Sequence, residues 1–354
     1  MRTTRIHKRV RRVLCLLLVI LLVYTLGSMA FSAVFFRVMF SRRDSLPDVV
    51  AIPYEMLDTS RYPRKEIRFA SGENTLRGWL YGEQGTCGLI IIAPGISDGA
   101  DAHLAEMMTF ADSGYAVLTY DATGMLQSGG SDRVGLQQAK RDLLAAIDFA
   151  KQDSALASKP LLLYGHSQGA YAAAAVLDEA EVDAAVCLSG FDSPVGTMYG
   201  KAKEYVGVLA DVQYPFLYLQ NWFIFGSDAD DRAIESLNHG DTPVRIFYGS
   251  DDKVIPYPLS QYARAEDITN PNAECELIDE AYRSGHSYMW LSEDAAKYVA
   301  ERQQELYDLR DACGGELPQE LLDDFYRETD AERATETDGE FMNEILSFYR
   351  AAAH

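Results

Sequence analysis

The chain has 354 residues, 48% hydrophobic and 24% charged, enough for one large α/β domain with an insertion or for two small domains. Residues 1–43 hold nine Arg or Lys and no acid, so the other 23 basic residues face 53 acidic ones in residues 44–354, a formal charge of about −30. Such a body repels phosphate backbones and anionic lipid, which argues against nucleic-acid binding; its plain role is solubility.

The first element is apolar. Val13 to Phe36 is a run of 24 residues without a charge. As a helix it spans about 36 Å, against a hydrocarbon core of about 30 Å. Six Arg or Lys precede it and Arg37, Arg42 and Arg43 follow closely. The positive-inside bias then gives a cytoplasmic tail (1–12), a single-pass signal-anchor (13–36) and an extracytoplasmic body. The rival is a cleaved signal peptide, with Ser28 and Ala30 as a small-x-small site near Ala30. The apolar run continues past that site, which favours the uncleaved anchor. Residues 37–64, with their Pro and Arg content, read as a linker.

From residue 65 onward strands and helices alternate. KEIRFAS and TLRGWLYGE form a hairpin around Gly72 and Asn74. GLIIIAPG is a continuous apolar run, LAEMMTFADSG a helix with a glycine stop, and YAVLTYD a strand. Residues 136–152 place Leu136, Ala139, Leu143, Ile147 and Ala150 on one helical side. PLLLYG, DAAVCLSG, PVRIFYGS and AECELID are further strands, and GAYAAAAVLDEA is a helix. Strands apolar throughout, alternating with helices, imply a mostly parallel sheet covered on both faces. Residues 191–241 exceed what one crossover helix needs and read as a helical cap; residues 292–354 are helical in pattern.

Five cysteines show no C-x-x-C spacing, so neither structural zinc nor thioredoxin-like chemistry is expected. Cys187 reads as a buried thiol, and an extracellular body could form one or two disulfides. SDADDR (227–232) lacks the oxygen and glycine that a calcium loop wants at its fifth and sixth positions, so capping or solvation is its plainer role. No cofactor and no metal is expected.

Chemistry concentrates at Gly165-His166-Ser167-Gln168-Gly169, where a strand ends and a helix begins. A nucleophile elbow needs that setting, because its turn is tight and the residues two away must be small. A serine hydroxyl needs a base and an orienting acid. In this architecture the chain order is Ser, then Asp or Glu, then His. Of the histidines after Ser167, His354 ends the chain, His239 precedes a strand, and His286 follows the last strand on a loop, so His286 is the base. The acid should follow VRIFYG, where Asp251 and Asp252 compete; Asp252 is preferred, with Asp192 and Asp279 as lesser candidates. The oxyanion hole should use the backbone N–H of Gln168 and one from the loop after LIIIAPG, taken as Ile96. YPFLYLQNWFIF (214–225) reads as the core of the cap or as an acyl pocket, with Trp222 and Phe225 its residues to follow.

Together, TLRGWLY, G-H-S-x-G, Gly249-x-x-Asp252-x-x-x-Pro256 and the late Gly285-His286 resemble the α/β-hydrolase superfamily over roughly residues 65–350. The likeness is to its serine aminopeptidase-like and monoacylglycerol-lipase-like branch. That resemblance implies hydrolysis of an ester, thioester or amide through an acyl-enzyme, with Ser167 as nucleophile, Asp252 as orienter and His286 as base. Two positions depart from it: Ala93-Pro94-Gly95 stands where relatives often have His-Gly, and Asp121 to Ser128 lacks the arginine and second glycine of D-x-R-G-x-G-x-S. The expectation is a membrane-anchored serine hydrolase acting on a small-molecule acyl or lipid-derived ester. An aminopeptidase or amidase of the same fold, and a non-catalytic membrane-tethered binding module, are the alternatives.

Overall fold

The computed structural model describes the chain except Met1, residues 47–49, Ser97, Glu316 and His354, and the side chains of residues 2–6 and 8. Among the described residues, eight strands form one sheet: β1 (Arg64–Ser71), β2 (Asn74–Tyr81), β3 (Leu89–Ala93), β4 (Ala116–Tyr120), β5 (Leu161–His166), β6 (Ala184–Leu188), β7 (Val244–Gly249) and β8 (Ala273–Ile278). Their spatial order is β1-β2-β4-β3-β5-β6-β7-β8. The β1–β2 and β2–β4 pairs are antiparallel and the rest parallel.

The α-helices among the described residues are α1 (Arg2–Met39), α2 (Leu104–Asp112), α3 (Gln138–Gln152), α4 (Gln168–Ala175), α5 (Pro194–Val206), α6 (Val208–Phe225), α7 (Ala233–Leu237), α8 (Glu293–Ala312), α9 (Gln319–Arg327), α10 (Ala331–Ala334) and α11 (Gly339–Ala352). Strand alternation sorts the core into two layers. Leu89, Ile91, Leu161, Leu163, Ala185 and Cys187 face α3, α4 and α7, whereas Ile90, Ile92, Leu162, Tyr164 and Val186 face α2, α8 and α11. Both faces are covered, which is why β3 to β6 read as unbroken apolar runs. A fully buried Ile or Leu of this kind contributes about 1.5–3 kcal/mol.

Helices α5, α6 and α7 occupy the insertion between β6 and β7. The described residues between 37 and 64 pack against the domain. α1 continues to Met39, and Phe40, Val50, Ile52, Tyr54 and Tyr62 are buried in the two core layers. Apolar side chains outweigh Pro and Arg content here. The five cysteines are free thiols. In SDADDR, Asp228 pairs with Arg141, Asp231 with Lys140, and Asp230 accepts from Tyr218, so these acids serve ion pairs and a hydrogen bond rather than a loop for a cation.

Candidate active site

β3 and β5 are neighbours, and the chain leaves them toward opposite sides of the sheet order, making a crevice at their carboxyl ends. Ser167 sits there, between β5 and α4, with φ 55° and ψ −114°. A non-glycine residue in that region is strained and is held by its surroundings. A Cβ on Gly165 would lie 2.3 Å from the carbonyl oxygen of Gly169, and one on Gly169 would lie 1.9 Å from that of Ala93. Both glycines are therefore steric necessities of the turn. Ala170 and Ala172–Ala175 are fully buried, small enough for α4 to lie close against β5 and β6.

The N–H of Ser167 donates to the Leu188 carbonyl at 2.8 Å, extending the sheet ladder one residue past β5. Gln168 opens α4, where first-turn N–H groups lack intrahelical acceptors. Its side chain donates to the Leu136 carbonyl at 2.8 Å. Ile96 is half-buried on the loop after β3, and its carbonyl accepts from Arg133 Nη1 at 2.9 Å.

Asp252 follows β7. Its Oδ1 accepts the N–H groups of Val254 and Ile255 at 2.8 and 2.9 Å, and its Oδ2 lies 2.8 Å from His286 Nδ1. Asp251 is exposed and pairs with Lys253 at 3.2 Å. Of the two competing aspartates, Asp252 is the one brought to His286. The loop carrying His286 can approach because Gly249 has no side chain: a Cβ there would meet the carbonyl oxygens of Ser284 and Gly285 at 2.3 Å. Burial lowers the His286 pKa below its ordinary value, opposed by the bond to Asp252. The ring is thus neutral at pH 7, with Nδ1–H donating to the carboxylate.

The other candidates have different work. Asp192 accepts from the Ile234 N–H at 3.1 Å and pairs with Arg232 at 3.2 Å. Asp279 and His239 are exposed, and His354 lies outside the described residues. Phe225 is buried, with its ring against Gly135, while Trp222 is half-exposed and edge-on to Phe223.

Two features beside this site carry little signal in the sequence. The first is a buried histidine–carboxylate cluster. His166 Nε2 donates to the carbonyl of His286 at 2.9 Å, and the two rings are 4.9 Å apart. His166 Nδ1 faces Asp98 Oδ2 at 3.4 Å, and the same oxygen accepts from the Gly95 N–H at 3.1 Å. His103 Nδ1 bonds Glu106 Oε1 at 2.8 Å and its Nε2 faces Asp98 at 3.7 Å. Trp290 covers both rings. Asp98, His103 and His166 are the residues among those described whose ligand atoms converge enough to hold a metal ion. Burial by itself lowers the His103 pKa, but Glu106 and Asp98 outweigh it and push it up to about 10. Burial likewise raises Asp98, and the two imidazoles outweigh it and hold that carboxyl well below the usual range. The i,i+3 pairing of His103 with Glu106 is the one part visible in sequence.

The second is Arg133. Its guanidinium donates to the carbonyls of Met39 at 2.5 Å, Ser41 at 3.0 Å and Ile96 at 2.9 Å. Burial lowers its pKa to about 10, which leaves it cationic at neutral pH. One fork thus ties the last turn of α1 to the loop beside Ser167. All three acceptors are backbone atoms, which leave no side-chain signature.

Strand order, the elbow between β5 and α4, and the helical insertion after β6 define the architecture. The chain has the α/β-hydrolase fold. Residues 84–219 match a family model described as serine aminopeptidase, S33. A curated relative, the polyketide transferase grgF of a Penicillium species, is 29% identical over 113 residues, 31% of this chain and 38% of that protein's length. Among solved structures, the Pyrococcus furiosus esterase Pf2001 has a TM-score of 0.52 at 20% identity, covering 75% of this chain and 97% of that one. The α/β hydrolase GrgF from Penicillium sp. sh18 has a TM-score of 0.50 at 19% identity, covering 69% and 97%. At these identities the structural likeness establishes the fold.

Proposed function

We propose that this α/β hydrolase is a membrane-anchored serine hydrolase that cleaves a carboxylic ester through an acyl-enzyme. Ser167 Oγ attacks the ester carbonyl and its proton passes to His286 Nε2. The tetrahedral oxyanion is received by the backbone N–H groups of Gln168 and Ile96. Collapse expels the alcohol, which takes the proton from His286. Water, deprotonated by the same ring, then releases the acid and restores Ser167. Asp252 fixes the tautomer of His286 and stabilises the imidazolium. The observation carrying this reading is the 2.8 Å bond between Asp252 and a His286 whose own carbonyl holds the residue preceding a strained serine.

α1 is the anchor in this reading, with its N-terminus cytoplasmic and the body outside. Ser28, Ser32, Phe36 and Phe40 recur every fourth residue and are buried against the body, while the preceding stretch is exposed and apolar. That pattern fits a helix held by protein at one end and by lipid at the other. The test is labelling of the full chain in membranes with a fluorophosphonate, followed by a panel of acyl p-nitrophenyl esters and aminoacyl reporters. Labelling lost in Ser167→Ala, with turnover of acyl esters, is the expected result. Labelling unchanged in that variant rejects the nucleophile. Turnover of aminoacyl reporters alone moves the reading to an aminopeptidase, which the family-model match favours. Absence of both labelling and turnover leaves a binding module.

A further inference from the structure

α6 runs beside α1 in the same direction. Tyr24 donates to the Val212 carbonyl and packs edge-on against Phe216 at 5.6 Å. Gln213 donates to the Ser28 carbonyl and to Ser32 Oγ at 2.9 and 2.8 Å. Further along, Phe36 and Phe225 both close on Gly135, with ring atoms 3.8 and 2.7 Å from where its Cβ would be. Moving from Phe36 back to Tyr24 therefore corresponds to moving from Phe225 back to Val212.

This registration fixes a depth. The charge-free run of α1 is about 36 Å long and a hydrocarbon core about 30 Å, so the core can slide by only about 6 Å along it. Tyr24 lies about 18 Å from Phe36, so in any allowed position it is about 12 Å or more inside the outer boundary. Val212, in contact with Tyr24, shares that depth, and Val208 and Leu209 lie about a turn deeper. Val208, Leu209, Val212, Leu219, Trp222 and Phe223 form an apolar stripe along α6, each 38–73% exposed. Tyr205, at the α5–α6 turn, is 85% exposed. Of the charges at that end, Lys201 pairs with Glu204 at 3.0 Å and also donates to the Lys253 carbonyl on the loop after β7 at 3.3 Å, and Asp211 pairs with Lys203 at 2.9 Å and accepts from the Tyr199 hydroxyl. Pairing of this kind is what low-dielectric surroundings demand of ionisable groups. Trp222 sits one turn from the level of Phe36, at the interface, where tryptophan is favoured.

We infer that the α5–α6 hairpin enters the hydrocarbon core alongside α1, so that the exposed stripe of α6 is covered by lipid acyl chains. This rests on reading α1 as a membrane-spanning helix. The same helix α6 packs through Phe225 on Gly135, whose neighbour Leu136 is gripped by Gln168 at the elbow. The substrate class that follows is an ester with an acyl chain already dissolved in the bilayer, reaching Ser167 along α6 rather than from bulk water.

The full chain is reconstituted in phosphatidylcholine vesicles whose acyl chains carry bromine, a contact quencher of tryptophan. Reporter variants are Val19→Trp in α1, Leu209→Trp in α6 and Glu320→Trp on α9, each read as the difference from the parent chain. The expected result is quenching by about half or more for Val19→Trp and Leu209→Trp, and none for Glu320→Trp. Quenching at position 19 without quenching at 209 overturns the inference and leaves the anchor standing. No quenching at either removes the anchor reading, and the inference with it. A second variant, Val208→Asp with Leu209→Asp, should lower turnover of a vesicle-embedded ester about ten-fold, since burial of each Asp in lipid is costly. Its turnover of a water-soluble p-nitrophenyl ester should be unchanged. Equal effects on both substrates overturn the route through lipid.

Discussion

Asp252 divides its two oxygens between two tasks: Oδ1 is held by the N–H groups of Val254 and Ile255, and Oδ2 faces His286 Nδ1 at 2.8 Å. The carboxylate is thereby fixed by its own turn before it orients the ring. Asp252→Asn keeps the turn's acceptor and changes the partner of Nδ1. Its kcat on an acyl ester should fall by about 10²–10⁴, as for other orienting acids. Asp251→Asn, at an exposed position, should stay within about two-fold. Steady-state kinetics on both variants check this.

The pH profile follows from the direction of the His286 shift. Burial lowers its pKa below 6.5, and protonation removes the base. The acidic limb of kcat/KM should therefore have its midpoint below 6.5. The bond to Asp252 is what raises the ring's pKa against burial, so Asp252→Asn should carry the limb further to the acid side. A limb above 6.5 in the parent chain would contradict the assignment of His286 as base.

His103 gives a stability prediction of opposite sign. Its pKa is raised to about 10 in the folded chain, against about 6.5 unfolded. Its contribution to stability is complete below pH 6.5 and is lost as pH rises from there through about 10. The urea midpoint of the parent chain should fall across that window. His103→Gln, with no charge to lose, should give a flatter profile and a lower midpoint at pH 6. Equilibrium unfolding at half-unit pH steps measures both.

Arg133 acts through the loop it holds. Arg133→Ala should lower kcat by about 10–10², the scale of a slightly misplaced reacting group, with KM within about two-fold. Arg133→Lys keeps the charge but cannot reach three carbonyls at once, and should recover part of the loss. A merely structural role would lower the amount of folded protein without changing kcat per labelled active site.

Much of the fold was legible because parallel strands buried on both faces leave continuous apolar runs, as in Leu89–Ala93 and Leu161–His166. Ser167 was legible for a steric reason, since Gly165 and Gly169 are the residues that this turn requires. The choice between Asp251 and Asp252 was open in sequence, because it depends on which side chain the turn points inward. The cluster of Asp98, His103, Glu106 and His166 was hidden, since its members come from the loop after β3, the start of α2 and the end of β5. Residues 37–64 were misread by composition, where the decisive features were single buried side chains such as Phe40, Ile52 and Tyr62.

The fork of Arg133 joins Met39 and Ser41 to Ile96, and Phe36 and Phe40 belong to the main core layer. An N-terminal deletion made for easier handling in water would strip the guanidinium of the Met39 acceptor and open a void under α3. What survived such trimming would be a different catalyst, with a slackened rim beside its serine. Kinetic work on this chain therefore needs every residue of the first helix retained.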